Sequence, residues 1–203
     1  RRRLLELEEA GLRRVLQVPS GIDLSSNDYL ALANHPQMKQ RMAEAVLAEG
    51  CGSTASRLLR GERALLSAVE RRFAAFKSAD ASLFFGSGYA ANLSALTTFV
   101  ERHDIVFSDA QNHASIVDGI RLSRAKRVKF RHCDVDDLAR RMRSAPQDAQ
   151  GFLITESLFS MDGDFAPLAD YAQLCRETGT IFIVDEAHAV GLYGPRGSGW
   201  IST

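Results

Sequence analysis

The sequence predicts an α/β fold in which a mainly parallel sheet carries flanking helices. Five short runs rich in apolar and β-branched residues predict strands, at residues 81–85, 104–108, 127–131, 151–156 and 180–185. Segments with helical periodicity lie between them, at residues 90–100, 114–123, 135–143 and 168–177. Strands that alternate with helices indicate crossover connections, which join parallel strands. The 203 residues are enough for one such domain with a buried core.

The beginning of the chain differs from this alternating part. Residues 1–35 predict an N-terminal arm that starts with a charged helix, and residues 36–203 predict one large domain. Pro36 and Gly50 delimit a second helix, because Pro suits the first helical turn and Gly the position after the last one. The small, polar residues 50–57 predict a loop. Apolar residues at helical spacing predict a third helix over residues 62–77.

Charge and cysteine content exclude several classes of protein. Lys plus Arg and Asp plus Glu number 25 each, and this balance argues against a general binder of nucleic acid or of anionic membranes. No apolar run approaches the ~18 residues of a membrane span. Cys51, Cys133 and Cys175 lie far apart without a Cys-x-x-Cys pair. They favour a reducing, cytoplasmic compartment over a disulfide framework or a structural metal site.

The segment from residue 180 to residue 188 places polar chemistry at a strand end. Open α/β sheets bind ligands at the carboxyl ends of their strands, and Asp185 and His188 follow such a strand. Three interpretations compete: an anion facing a cationic ring nitrogen, the Walker B box of a helicase, or a structural cap. The helicase interpretation fails because its phosphate loop needs a Gly-Lys pair, which the sequence lacks. The other two remain open on this segment alone.

The turn after residue 85 predicts an anion site. Gly86, Ser87 and Gly88 lie between a predicted strand and a predicted helix, where free amides and the helix dipole attract phosphate. Ala91 stands at the third glycine position of the dinucleotide pattern Gly-x-Gly-x-x-Gly, so a dinucleotide is disfavoured. A bound phosphate monoester and a plain tight turn are the two remaining interpretations.

Two further strand ends carry polar side chains. His113 follows the strand predicted over residues 104–108, and Ser160 follows the one over residues 151–156. Alone, each could be a cap or a surface residue. Together, the strand ends supply an anion cradle, an imidazole, a hydroxyl and a carboxylate. This set suits pyridoxal 5′-phosphate (PLP), whose ring nitrogen needs an anionic partner.

Six motifs, in order, resemble the α-oxoamine synthase family of PLP-dependent enzymes, which have the aspartate-aminotransferase fold (fold type I). The motifs lie at residues 27–30, 52–61, 87–92, 112–115, 159–168 and 185–191. Each motif alone is modest, but six in this order are specific, and they extend over nearly the whole chain.

The resemblance implies roles for the cofactor-binding residues. The backbone amides of Gly88 and Tyr89 would bind the cofactor phosphate, and His113 would stack on the ring. Asp185 would pair with the ring nitrogen. The phenolic oxygen would receive hydrogen bonds from Ser160 and His188.

The resemblance also implies substrates and a partner. Asn27 matches a residue near the amino-acid substrate, and the loop that holds Ser53 and Arg57 reaches the active site of the other subunit of a homodimer. Within that loop, Thr54 and Ala55 replace two glycines that are common in the family. The implied reaction condenses an amino acid with an acyl-CoA and releases CoA and CO2. In the most similar member, the substrates are L-alanine and pimeloyl-CoA, in biotin synthesis.

A lysine completes the site of these enzymes by forming a Schiff base with PLP. Four lysines occur in the sequence, and none matches the family's motif: Lys39, Lys77, Lys126 and Lys129. We therefore expect this lysine after Thr203, in a missing C-terminal part. The alternatives are a sibling enzyme that uses glycine or serine, and a non-catalytic partner subunit that has no such lysine.

Overall fold

The computed structural model describes residues 2–16, 18, 20–146 and 148–203. They belong to two compact units, residues 1–52 and residues 53–203. The domain boundary predicted after residue 35 stays a prediction.

The described residues of the first unit include the α-helices α1 (Arg2–Glu9) and α2 (Pro36–Glu49). Pro36 occupies the first turn of α2. Gly50 ends it with a φ of 86°, and its N–H donates to the Val46 carbonyl at 2.9 Å. This positive φ is the conformation that glycine adopts without strain, so the predicted end of α2 is confirmed.

The second unit contains the sheet and five helices. The helices are α3 (Ala64–Lys77), α4 (Gly88–Phe99), α5 (Ala114–Ser123), α6 (Val135–Arg143) and α7 (Leu168–Thr178). The strands are β1 (Ile105–Asp109), β2 (Lys126–Phe130), β3 (Gly151–Glu156) and β4 (Ile181–Asp185). Within the described ranges, no helix combines the length and the apolar composition that crossing a membrane requires.

The four strands are parallel and lie in the order β2-β1-β3-β4. Each differs by at most one residue at either end from its predicted range. A helix separates each strand from the next in the chain, as a parallel sheet requires. The predicted parallel sheet with flanking helices is therefore confirmed.

Apolar side chains cover both faces of the sheet, because successive strand residues point to opposite sides. On one face, strand residues pack with α6 and α7: Ile105, Phe107, Leu153, Leu138, Met142, Tyr171 and Cys175. On the other face, they pack with α4 and α5: Val106, Phe152, Ile154, Leu96, Ile116 and Ile120. Trp200 lies at the margin of the first cluster, and its ring centroid is 4.4 Å from that of Phe165.

The strand predicted over residues 81–85 is wrong, because these residues form no strand in the structure. A strand needs a hydrogen-bonded neighbour, and here the side chain and backbone of Glu70 supply the partners. The Phe84 N–H donates to Glu70 Oε1 at 2.8 Å, and the Ser82 hydroxyl donates to the Glu70 carbonyl at 2.7 Å. Leu83 remains 71% exposed.

Helices α4 and α5 approach each other closely at Gly119. A Cβ added to Gly119 would lie 2.7 Å from Leu96 Cδ1 and 3.0 Å from Leu96 Cβ. The side chain of Leu96 is 1% exposed, and its Cβ cannot rotate away. The absence of a side chain at Gly119 therefore sets the distance between these two helices.

Gly119→Ala should lower the free energy of unfolding. Alanine is favoured over glycine in a helix by up to about 1 kcal/mol, but overpacking a buried contact typically costs about 1–3 kcal/mol. Urea unfolding of the variant and of Gly86→Ala measures the effect, since a Cβ at Gly86 would meet nothing within 4 Å. A Gly119→Ala protein as stable as wild type would show that α5 shifts freely.

Candidate functional site

The sheet reverses its strand order between β1 and β3. The chain passes from β1 through α5 to β2 on one side, then returns through α6 to β3 on the other side of β1. Such a reversal opens a crevice at the carboxyl ends of the two strands, where ligands bind. The segment after β1 carries His113, and the segment after β3 carries Ser160. Both predicted site residues thus follow the strands that flank the crevice, and both are exposed.

Asp185 is the last residue of β4 and is half-buried. Its Oδ2 accepts a hydrogen bond from Asn92 Nδ2 at 2.7 Å, and its Oδ1 accepts one from the Ala187 N–H at 2.9 Å. An ionised carboxylate offers about four lone-pair positions. The two bonds therefore fix the orientation of the carboxylate and leave capacity for another donor.

Asn92 extends this contact to His113 through Ser115. Asn92 Nδ2 also donates to Ser115 Oγ at 2.9 Å, and Ser115 Oγ lies 2.7 Å from His113 Nδ1. The Ser115 N–H donates to the same Nδ1 at 3.2 Å, so this nitrogen is an acceptor. In the neutral imidazole, these bonds assign the proton to Nε2. One continuous chain of hydrogen bonds thus connects Asp185 with His113.

The start of α4 offers free amides. Ser87 is the N-cap, and its Oγ accepts the Ala90 N–H at 3.1 Å. The first N–H groups of a helix have no partner within the helix, which leaves those of Gly88 and Tyr89 at its positive end. A Cβ on Gly88 would meet nothing within 4 Å, so there is open space at this position.

Tyr89 connects the start of α4 to α5. Its hydroxyl donates to Asp118 Oδ2, and this hydrogen bond raises the pKa of Tyr89. Its ring lies edge-on to that of His113, with centroids 6.3 Å apart and an interplanar angle of 79°. The two helix starts are therefore held side by side at the crevice.

Glu156 is a buried site residue that sequence reasoning missed. Its Oε1 accepts the His113 N–H at 2.6 Å, and the backbone N–H of Ser160 lies close to this carboxylate and favours its ionised form. Burial raises the pKa of Glu156 to about 7, and repulsion from Asp185 and Asp109 adds to the rise. The sequence did place Glu156 at the end of a predicted strand, and in the structure it lies beside Asp185 on the neighbouring strand. That position could have indicated a site residue.

His132 is a second missed residue, and it holds the segment after β3. Its Nδ1 lies 2.8 Å from Asp109 Oδ1, and its Nε2 lies 2.8 Å from Asp164 Oδ2. Its ring packs edge-on against Phe159, next to Ser160, with centroids 4.4 Å apart. Burial by itself would lower the pKa of His132, but the hydrogen bonds to the two carboxylates outweigh it and raise the pKa above 6.5.

Asp109, His132 and Cys133 also bring three potential metal ligands within 4.8 Å of one another. Both ring nitrogens of His132, however, already contact carboxylates. Burial raises the pKa of the Cys133 thiol to about 12, which disfavours the thiolate that a metal would bind. The cluster is better explained as a hydrogen-bonded brace than as a metal site.

Comparison with known proteins identifies the family. The model of the family "Aminotransferase class I and II" matches residues 19–200. The chain belongs to this family. An 8-amino-7-oxononanoate synthase of Anaeromyxobacter sp. (strain Fw109-5) is 47% identical over 98% of the chain, and the match covers 53% of that protein. One from Geobacter sulfurreducens is 43% identical over 97% of the chain and is covered to 54%.

Solved structures of related enzymes share the aminotransferase fold. A serine palmitoyltransferase variant from S. paucimobilis with a bound PLP–myriocin aldimine superposes with a TM-score of 0.89 and 30% identity; the match covers 99% of this chain and 56% of that one. For the 8-amino-7-oxononanoate synthase of Francisella tularensis, the TM-score is 0.74 and the identity 33%, over 89% of this chain and 49% of that one. The predicted fold and resemblance are confirmed. The chain spans about half the length of the curated relatives it matches.

Lys77, one of the lysines of this aminotransferase-family chain, is held in a partly buried ion pair. Its ammonium bonds the Glu186 carboxylate and the Ser198 carbonyl. Glu186 also accepts the Ile201 N–H at 2.8 Å. These contacts join the end of α3 and residues 198–201 to the turn after Asp185. The Lys77 ammonium is thus already bonded to protein acceptors. The turn contains His188, which is half-buried.

The predicted substrate residues lie in different units. Asn27 belongs to the first unit, whereas Ser53 and Arg57 belong to the second. The Arg57 guanidinium is engaged by two carboxylates, with Nη2 donating to Glu62 Oε1 at 3.1 Å and to Glu70 Oε2 at 3.0 Å. The substrate roles of these residues stay predictions.

The His132 brace should make stability depend on pH. Because its folded pKa exceeds the unfolded value of 6.5, the stabilisation is fully present below that pH and is lost as pH rises through the folded pKa. The difference in unfolding free energy between wild type and His132→Gln should therefore shrink as pH rises above about 6.5.

The matched control is His103→Gln, because the side chain of His103 is 81% exposed and pairs with an exposed Glu101. Surface ion pairs of this kind contribute little. A wild-type–His132→Gln difference that stays constant with pH would contradict the brace.

Proposed function

We propose that this chain forms the PLP-binding part of an enzyme that condenses L-alanine with pimeloyl-CoA. The products are 8-amino-7-oxononanoate, CoA and CO2, in biotin synthesis. Relatives of that name support the proposal at 43–47% identity. The observation that carries it is the hydrogen-bonded chain from Asp185 through Asn92 and Ser115 to His113.

The residues at the crevice fit PLP in charge and in hydrogen-bonding type. The open, positive start of α4 suits the phosphate, which Gly88 and Tyr89 would bind through their amides. The oriented, half-buried carboxylate of Asp185 suits the ring nitrogen. Ser160 and His188 are assigned to the phenolic oxygen.

PLP, when bound, supplies an electron sink that stabilises negative charge on the substrate α-carbon. The task of Asp185 is to hold a proton on the ring nitrogen, since a protonated ring withdraws electrons more strongly. Asn92 and the Ala187 N–H keep its carboxylate oriented for that task. His113 supplies the face on which the ring rests, and Ser115 fixes its imidazole.

The alternative is the reaction of a related α-oxoamine synthase that uses another amino acid, and one structural comparison favours it. The serine palmitoyltransferase from S. paucimobilis superposes more closely than the Francisella synthase does. The amino acid could then be serine, or glycine as in 2-amino-3-ketobutyrate CoA ligase and 5-aminolevulinate synthase. Sequence identity favours alanine, because the curated relatives at 43–47% identity carry the oxononanoate synthase name. Turnover with each amino acid and a panel of acyl-CoAs separates these cases.

The proposal includes a homodimer in the cytoplasm, with the active site at the interface. Large apolar side chains that remain exposed in the second unit, such as Phe99 and Leu122, are compatible with an interface. The three cysteines are free thiols, as a reducing compartment favours. Light scattering of the native protein measures the subunit number.

Borohydride reduction after incubation with PLP tests whether the native protein carries the lysine that this family uses. We expect an intact mass well above the 22.3 kDa of this chain, with one reduced PLP adduct. A mass of 22.3 kDa without a specific adduct would contradict the enzymatic proposal and favour the non-catalytic partner subunit.

Asp185→Asn should leave PLP bound but lower turnover by about 100-fold or more, because a neutral amide does not hold the ring proton. Dialysis against PLP measures binding, and steady-state kinetics measure turnover. Asp162→Asn, at an exposed carboxylate in the segment after β3, is the control and should behave as wild type. Full turnover in Asp185→Asn would remove Asp185 from its assigned role.

A further inference from the structure

Glu156 is a buried carboxylate that the proposed reaction does not use. Only 4% of its surface is exposed, and it lies at the last position of β3, beside the crevice between β1 and β3. Glutamate is almost never fully buried unless it has partners. A buried carboxylate at this position therefore needs partners on the neighbouring segments.

The partners of Glu156 come from two different segments. The His113 N–H, after β1, donates to Oε1 at 2.6 Å. The backbone N–H of Ser160, after β3, lies close to the same carboxylate and favours its ionised form. Hydrogen bonds to an ionised acceptor are shorter and stronger than neutral ones. One buried side chain therefore lies between the two segments that carry His113 and Ser160.

The charges around Glu156 make this contact sensitive to protonation. Burial disfavours the ionised form most, and the His113 N–H favours it. The charges of Asp185 from β4 and Asp109 from β1 disfavour it further, and the nearby Ser160 N–H favours it. The result is a pKa of about 7. His113 contributes its ring to the same region, and His132 contacts Asp109, so a pH experiment must distinguish Glu156 from both side chains.

We propose that Glu156 is a positioning residue of the PLP site, whose carboxylate holds His113 and Ser160 at the spacing that the cofactor ring requires. The inference rests on the proposed function, because His113 is assigned to the face of that ring and Ser160 to its phenolic oxygen. Glu156 itself touches neither the cofactor nor the substrate in this role. It acts through two backbone amides.

Backbone amide NMR of the native protein without PLP tests this role directly. The ¹H and ¹⁵N shifts of His113 and Ser160 should change together as pH passes through about 7, with one common midpoint. In Glu156→Gln, this shared transition should disappear, while Asp162→Asn should retain it. Amides that do not change together in wild type overturn the inference, and this outcome requires no variant to fold.

A shared transition that persists in Glu156→Gln belongs to another group and also overturns the inference. Glu156→Asp keeps the charge on a shorter side chain. It should retain the transition, with both amide protons shifted upfield because the hydrogen bonds lengthen. Loss of the transition in that conservative variant would contradict the role.

Dialysis separates this inference from the proposed function. Glu156→Gln should weaken PLP binding about tenfold, equivalent to about 1.4 kcal/mol, because one of the two amides loses its charged acceptor. A wild-type protein that binds no PLP refutes the proposed function, and hence a role in that site, even where the amides titrate. Wild-type binding with unchanged affinity in Glu156→Gln overturns the positioning role alone.

Discussion

The reversal of strand order between β1 and β3 is the constraint on which the rest of the second unit depends. Four parallel strands place all their carboxyl ends at one edge, so residues far apart in the chain become neighbours there. Asn92 and Asp185, 93 positions apart, lie within hydrogen-bonding distance for this reason. The close packing of α4 on α5 at Gly119 brings the two helix starts to the same edge. The strand order and helix packing, more than any single motif, thus bring these residues together.

Polar side chains at this edge are held mostly by other polar side chains and by backbone amides. Asn92 donates to two acceptors, Glu156 accepts the His113 N–H, and His132 contacts two carboxylates. Each of these groups is half-buried or buried, where an unpaired polar atom is costly. The pairing restricts rotation of these side chains, so they are oriented before any ligand binds. Preorganisation of this kind lowers the cost of binding.

Local pattern was sufficient to predict most of the fold and to place Asp185 and His113 near strand ends. Helices α5 and α6 were predicted residue for residue, because the periodicity of their apolar residues is local. Asp185 ends β4 and His113 follows β1 after a short turn, so the strand pattern alone was enough to locate both. The segment 81–85 was predicted incorrectly, since a strand depends on a distant neighbour that its own sequence does not specify. Glu156 and His132 were missed for the same reason, as their partners are non-local.

Because Trp200 packs against Phe165, its fluorescence is an intrinsic probe of the segment after β3. Trp200 is the one tryptophan in the sequence, and Phe165 bridges to Leu158 across the turn that contains Ser160. Indole emission responds to the polarity and mobility of its surroundings. Loosening of the turn that presents Ser160 would therefore change the intrinsic fluorescence of the protein without any label. The fluorescence of Trp200 thus reports on the order of the segment that contains Ser160.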